Sequence, residues 1–133
     1  MPLESITRLR VRSIRYLPEF LFRALASVRQ ARRSSGCLSA DVRREVQLIF
    51  WTRTLWQDER SMRGFMTTGA HQIVMPKILD WCDEASVTHW QQEIDNPPDW
   101  PTAIANMRTK GRTSRVRNPS PAHSRGETVP PLV

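Results

Sequence analysis

Among the groups able to move a proton near neutral pH, His71 is the best placed of the three histidines. It follows Gly69-Ala70, where a helical pattern restarts, and from there an imidazole can face a cleft as acid, base or orienting group. A histidine that caps or packs at that point is the structural alternative. Arg53 interrupts an otherwise apolar run, so its guanidinium needs an anion. That anion is either a substrate or an acid such as Asp80 or Glu84, and the structural pair carries more weight. Five tryptophans are many for 133 residues. Trp51 and Trp90 are the candidates to wall a pocket for a flat ligand, while the rest fill core and interface. His89 alternates into a strand and can face cleft or interface. Cys82-Asp83 and the histidines lack metal-ligand spacing. There is no Gly-rich phosphate loop, nucleophile elbow or Cys/His pattern, so neither metal nor nucleotide cofactor is indicated.

Alternating and helical periods place these residues. Residues 6–12 alternate, with Leu9 and Val11 on one side and Arg8, Arg10 and Arg12 on the other, as in a half-buried strand. Pro18 to Arg33 has helical spacing and stops at Ser34-Ser35-Gly36. Cys37–Arg43 reads as a short strand. Val46–Trp56 reads as a strand apolar on both sides, which must be covered on both sides. Helices cover one side, and a second copy of the chain is the natural cover for the other. Asp58 caps a helix carrying Met62, Phe65 and Met66, and Gly69 ends or bends it. His71–Leu79 is helical again, limited by Pro76. Ala85–Gln92 is the fourth strand, with Val87 and His89 opposite Thr88 and Trp90. Trp100-Pro101 opens a last short helix to about residue 108. The order is β-α-β-β-α-β, a ferredoxin-like α+β antiparallel sheet with helices on one face. Residues 4–108 form this domain. Residues 109–133 are rich in Arg, Ser and Pro and read as a disordered basic tail.

The net charge of +7 is uneven. Residues 1–44 hold ten arginines against three acids, residues 45–108 five bases against nine acids, and residues 109–133 five bases against one acid. A basic stretch can attract nucleic acid or an anionic membrane. The acidic middle and the lack of exposed aromatics on the first strand make nucleic acid a minority reading. Two cysteines make no disulfide framework, and no apolar run approaches a membrane span, so a reduced cytoplasmic setting is expected. The Arg-rich, acid-poor start resembles a transit peptide, against which stands the strand at residues 6–12.

The block Phe50-Trp51-Thr52 through Leu55-Trp56, Asp58-Glu59, Met62-Arg63-Gly64-Phe65, Gly69-Ala70-His71 and Met75-Pro76-Lys77 through Leu79-Asp80-Trp81-Cys82-Asp83-Glu84 resembles the dimeric α/β-barrel superfamily. It is most similar to the antibiotic-biosynthesis-monooxygenase-like proteins of bacteria. The resemblance implies a homodimer through the open sheet face, and a small-molecule cleft between sheet and helices. It implies oxygenase-like chemistry without a bound redox cofactor, in which an activated substrate itself reduces oxygen. Phe65 and Met75 join Trp51, Arg53 and Trp90 as candidate lining, with His71 as candidate catalytic group. Haem-degrading relatives place an iron-binding histidine where this chain has Met75, which argues against that chemistry. A non-catalytic dimer binding a small ligand, or acting as an accessory protein, is the alternative implied by the same fold.

Overall fold

The computed structural model describes residues 1–46 and 48–131. Its five strands are β1 (Leu3–Val11), β2 (Cys37–Glu45), β3 (Ile49–Trp56), β4 (Cys82–Gln91) and β5 (Arg112–Thr113). They form one antiparallel sheet in the order β2-β3-β1-β4-β5. The helices are α1 (Leu17–Arg33), α2 (Glu59–Met66), α3 (Gly69–Trp81), α4 (Trp100–Lys110) and the short α5 (Pro121–Ser124). The ferredoxin-like α+β reading holds, and β1 is the central strand as that topology requires.

Strand pleating sorts the side chains onto two faces. On the helix face, Leu9, Val11, Phe50 and Cys82 pack with Phe20 of α1 and with Val74 and Trp81 of α3. At the other end of that face, Leu3, Trp56 and Ala40 pack with Ala31 of α1 and with Met62 and Phe65 of α2. Local signals explain why these helices sit there. Asp58 caps α2 by accepting the Ser61 N–H at 2.8 Å, and Pro18 occupies the first turn of α1. The α3 helix runs unbroken through Pro76 to Trp81, two residues past the expected end.

Gly36 links α1 to β2 with a φ of +84°, and a Cβ there would meet the Ser61 side chain. Gly36→Ala is therefore expected to cost about 1–2 kcal/mol in a denaturant melt, from left-handed strain plus displacement of Ser61.

The opposite face corrects the expectation of a second copy. Ile6, Ile49 and Trp51 are buried there, but by Ala103 and Met107 of α4, both at zero exposure. The face set aside for a homodimer is closed by the chain's own last long helix. Asp99 caps that helix through the Thr102 N–H at 2.8 Å, and the bend over residues 93–96, followed by Pro97 and Pro98, precedes it.

The reading of residues 109–133 as a disordered tail also differs from the structure, which describes this segment to residue 131. β5 pairs with the edge of β4, Val116 is buried against the first cluster, and Ser120 is 6% exposed. Polar anchors do what apolar burial could not. The Ser120 hydroxyl donates to Glu84 at 2.8 Å, Ser86 donates to the Thr128 carbonyl at 2.8 Å, and Arg117 pairs with Asp80 at 2.6 Å. A tally of apolar residues misses that kind of attachment.

Smaller differences lie at element ends. β3 begins at Ile49 rather than Val46, after a turn in which Leu48 takes a φ of 64°. Gln47, Leu132 and Val133, parts of the expected strand and tail, lie outside the described residues. Among the described residues no helix is long and apolar enough to cross a membrane.

Candidate functional site

The helix face is not uniformly apolar. On β1 the helix-facing residues run Leu3, Ser5, Thr7, Leu9; on β3 they run Trp56, Thr54, Thr52, Phe50. The register pairs them in that order, so each end of the face is apolar and the middle carries hydroxyls. β4 adds His89 opposite Ser5 and Val87 opposite Thr7. Exposure follows the same division. Ser5, Thr7, Thr52 and Thr54 keep partial access to solvent although β1 is the central strand, whereas Glu4, Ile6 and Arg8 behind them are at most 2% exposed. A band of partly accessible hydroxyls, which we call the trough, therefore crosses the sheet between the two apolar clusters. α1 repeats the pattern above it: Phe20 joins one cluster, Ala31 the other, and the buried residue between them is Ser27, whose Oγ has no partner. A buried hydroxyl without a partner is costly.

His71 and Phe65 stand at the second-cluster end of the trough. The Phe65 ring lies 5.2 Å from Trp56 and 4.5 Å from the His71 ring, centroid to centroid. His71 shares the inward stripe of α3 with Val74, Ile78 and Trp81. Gln30 of α1 fixes the junction that carries it: its side-chain amide donates to the Thr68 carbonyl at 2.8 Å and accepts the His71 N–H at 2.9 Å. Gly69, at a φ of +62°, lets the chain pass close to that amide. The ring Nδ1 lies 3.3 Å from the Met66 carbonyl oxygen. A carbonyl only accepts, so Nδ1 carries the hydrogen and Nε2 keeps a lone pair. Burial lowers the His71 pKa from its ordinary value, and the Met66 contact opposes this in part. Near neutral pH the ring is a neutral base.

The other sequence candidates lie elsewhere. Trp51, Arg53 and Trp90 are on the α4 face, behind the sheet from His71. Trp51 is sealed at zero exposure with its indole N–H unpartnered, and Trp90 packs against the same cluster. Arg53 donates to Asp41 at 2.9 and 3.2 Å and to the Pro98 carbonyl at 2.6 Å, and stacks over Trp100 at 4.5 Å. It is a structural pair, as expected, but the acid is Asp41 on the neighbouring strand rather than Asp80 or Glu84. Met75 is 44% exposed on the outside of α3 and lines no cleft. The six candidates do not form one site: His71 and Phe65 come together on the helix face, and Trp51 and Trp90 pack in one cluster on the α4 face.

Sequence reasoning passed over Ser5, Thr7, Thr52, Thr54 and Ser27. The signal was present as L-x-S-x-T-x-L in β1 and F-x-T-x-T-x-W in β3, apolar alternation interrupted twice by a small hydroxyl. His89, which by alternation alone can face cleft or interface, shares the trough's face and is exposed. Burial, with Arg112 nearby, lowers its pKa from the ordinary value. Cys82 is fully buried and its thiol is pushed up to about 12, which removes it as a nucleophile. Among the described residues, cavities open at the surface at two places of note. The larger, about 370 Å³, lies between the end of α1 and α2, lined by Ser34, Ser35, Asp58, Arg60, Ser61 and Phe65 among others. Asp58 there is already committed as a helix cap. The smaller, about 280 Å³, is at the β4 edge beside His89.

No family model and no curated protein matches the chain by sequence. Solved structures match it by shape. A conserved protein of Methanosarcina mazei has a TM-score of 0.62 at 16% identity, over 70% of this chain and 94% of its own. An antibiotic biosynthesis monooxygenase has a TM-score of 0.61 at 16% identity, over 69% of this chain and 99% of its own. SnoaB of Streptomyces nogalater, a cofactor-independent oxygenase, has a TM-score of 0.59 at 12% identity, over 70% of this chain and 94% of its own. The chain thus has the antibiotic-biosynthesis-monooxygenase-like fold read from its sequence. The match spans nearly all of each neighbour and leaves about a third of this chain outside it.

Proposed function

We propose that the trough binds a small, flat organic molecule and that the protein acts on it as a monooxygenase without a bound redox cofactor. The observation that carries this reading is the interruption of both apolar clusters by hydroxyls that remain accessible on the central strands. A folded sheet gains by burying Val or Leu at those positions. Accessible Ser5, Thr7, Thr52 and Thr54 are instead suited to orient a polar ligand by hydrogen bonds, while the flanking aromatic Phe65 stacks on it. His71 Nε2 would take the proton of a phenolic hydroxyl. The phenolate then supplies the electrons: phenol and O2 give quinone and water, one oxygen atom entering the ring and the other leaving reduced. The similarity in shape to cofactor-independent oxygenases supports this reaction class.

The test is oxygen uptake with a panel of phenols and quinols, beside ligand binding by calorimetry. His71→Ala is expected to lower turnover about 100-fold or more, the usual contribution of a positioned base, with affinity nearly unchanged. Thr7→Val should weaken binding roughly five- to tenfold through one lost hydrogen bond. Turnover and binding unchanged in both variants would sink the assignment. The second reading, a non-catalytic ligand binder, is favoured by one feature: the floor holds hydroxyls, which hydrogen-bond but transfer no proton at neutral pH. Tight binding with no oxygen uptake by the wild type would select it.

A further inference from the structure

We propose that the ligand is anionic, and that Arg112 and Lys110 hold its acidic group at the β4 end of the trough. This rests on the trough being the ligand site and adds the class of ligand it takes. Cross-strand register carries the argument. Thr52 pairs with Thr7, Thr7 with Val87, and Val87 with Arg112, so these four form one row across the sheet. Residues directly opposite in a ladder share a face. Arg112 of β5 therefore ends the hydroxyl floor with a guanidinium. Lys110, at the last turn of α4, adds an ammonium beside it.

The two cations line a cavity of about 280 Å³ together with Val87, Thr88 and His89. Val87 and His89 share the face of the hydroxyl band, so the cavity adjoins the β4 end of the trough. Among the described residues neither Lys110 nor Arg112 has a carboxylate within ion-pair distance. That contrasts with Arg8, Arg10, Arg53 and Arg117, each held by an acid at 2.9 Å or less. Arg112 also bears on the neighbouring imidazole, depressing the His89 pKa after the larger effect of burial, with Glu59 opposing. An anion placed here would offset that depression. The β5 pairing covers Ser86 and Val87, and Ser114 bonds the Ala85 carbonyl; among the described residues no strand pairs with this edge of β4 from Thr88 onward, beside the cations. A carboxylate fits bidentately on a guanidinium, with the attached ring lying along the Thr7 row.

The experiment is an amide and histidine-ring NMR titration of the full chain with benzoate, benzyl alcohol and inorganic phosphate. It is repeated on Lys110→Ala/Arg112→Gln, whose side chains are exposed and whose strand pairing is by backbone. Benzoate is expected to shift signals of Arg112, His89, Thr7 and Ser5 together, to raise the His89 pKa, and to bind more tightly than benzyl alcohol. The double variant should lose roughly tenfold or more in benzoate affinity while binding benzyl alcohol as before. Equal affinity for benzoate and benzyl alcohol, unchanged in the double variant, overturns the anionic class and leaves the trough as the ligand site. Benzoate shifts confined to Lys110, Arg112 and His89, with phosphate equally effective, overturn it as well: that is a surface cation pair only, and the trough reading falls with it. No shift from benzoate at tens of millimolar likewise overturns the inference.

Discussion

Glu84→Ala is expected to remove roughly 3–5 kcal/mol of folding free energy, because it leaves a buried guanidinium without its counter-charge. Glu84 and Arg8 are each 3% exposed at the side chain and meet at 2.8 Å. The other Glu84 oxygen accepts the Ser120 hydroxyl at 2.8 Å and lies 3.4 Å from Arg10. Arg10 keeps Asp83 at 2.7 and 2.9 Å after the change, so the loss falls on Arg8 and on Ser120. Arg8 sits on the central strand with no route to solvent, and its stacking on Trp51 at 6.0 Å does not neutralise it. Urea unfolding followed by tryptophan fluorescence measures the loss. Replacing both partners with apolar residues, Arg8→Met with Glu84→Leu, should recover most of it, since the cost lies in the unpaired charge rather than in the missing bond. Limited proteolysis gives a second readout: the segment after Thr113, deprived of its Ser120 anchor, should be cut sooner. A Glu84→Ala variant within about 1 kcal/mol of wild type would show that water reaches Arg8.

Which parts of this architecture were legible in the sequence follows from the kind of force involved. β3 was readable as buried on both sides because Ile49, Trp51 and Leu55 alternate with Phe50 and Trp56, and burial by apolar contact writes itself into composition. What buries each side was not readable. α4 is short and its apolar residues, Ala103, Ile104 and Met107, are modest, so it looked like an appendage. It closes the second face because the connection after β4, bent over residues 93–96, brings it there, a matter of geometry rather than pattern. The tail failed for the same reason. Hydrogen bonds from Ser120, Ser86 and Arg117 are single residues with long-range partners and leave no period.

The candidate site shows the same division from the other side. Arg53 and Trp51 drew notice because they are chemically conspicuous, yet conspicuous side chains in a sheet are most often paired or packed, and these are. Ser5, Thr7, Thr52 and Thr54 are plain strand residues. Only the register, which sets one hydroxyl pair beside another between apolar ends, turns them into a feature. His71 was legible because Gly69 marks a restart whose first turn points inward.

Stability is expected to fall as pH rises from about 5 to 8, and Glu4 is the reason. Its carboxyl is at zero exposure on the α4 face, across the register from Leu55 and Trp90, and neither oxygen has a hydrogen-bond partner. Burial pushes its pKa from 4.5 up to about 8; Arg53 pulls it down and Asp41 pushes it up by smaller amounts. Between those two values the folded chain keeps a proton that the unfolded chain has released. The unfolded state therefore binds fewer protons, and the free energy of unfolding declines with pH across the window, levelling off above the folded pKa. By pH 7 the decline amounts to roughly 3 kcal/mol, at about 1.4 kcal/mol per pH unit. His71 and His89 act in the opposite direction, since their lowered pKa values make stability rise with pH through the histidine range. The clean measurement is thus a difference. Urea melts of wild type and Glu4→Gln at half-unit steps from about pH 4.5 to 8.5 should converge at the acid end and separate toward pH 8, with the variant the more stable there. Parallel curves would mean that Glu4 is ionised and solvated at neutral pH, and α4 would then not seal the face it covers.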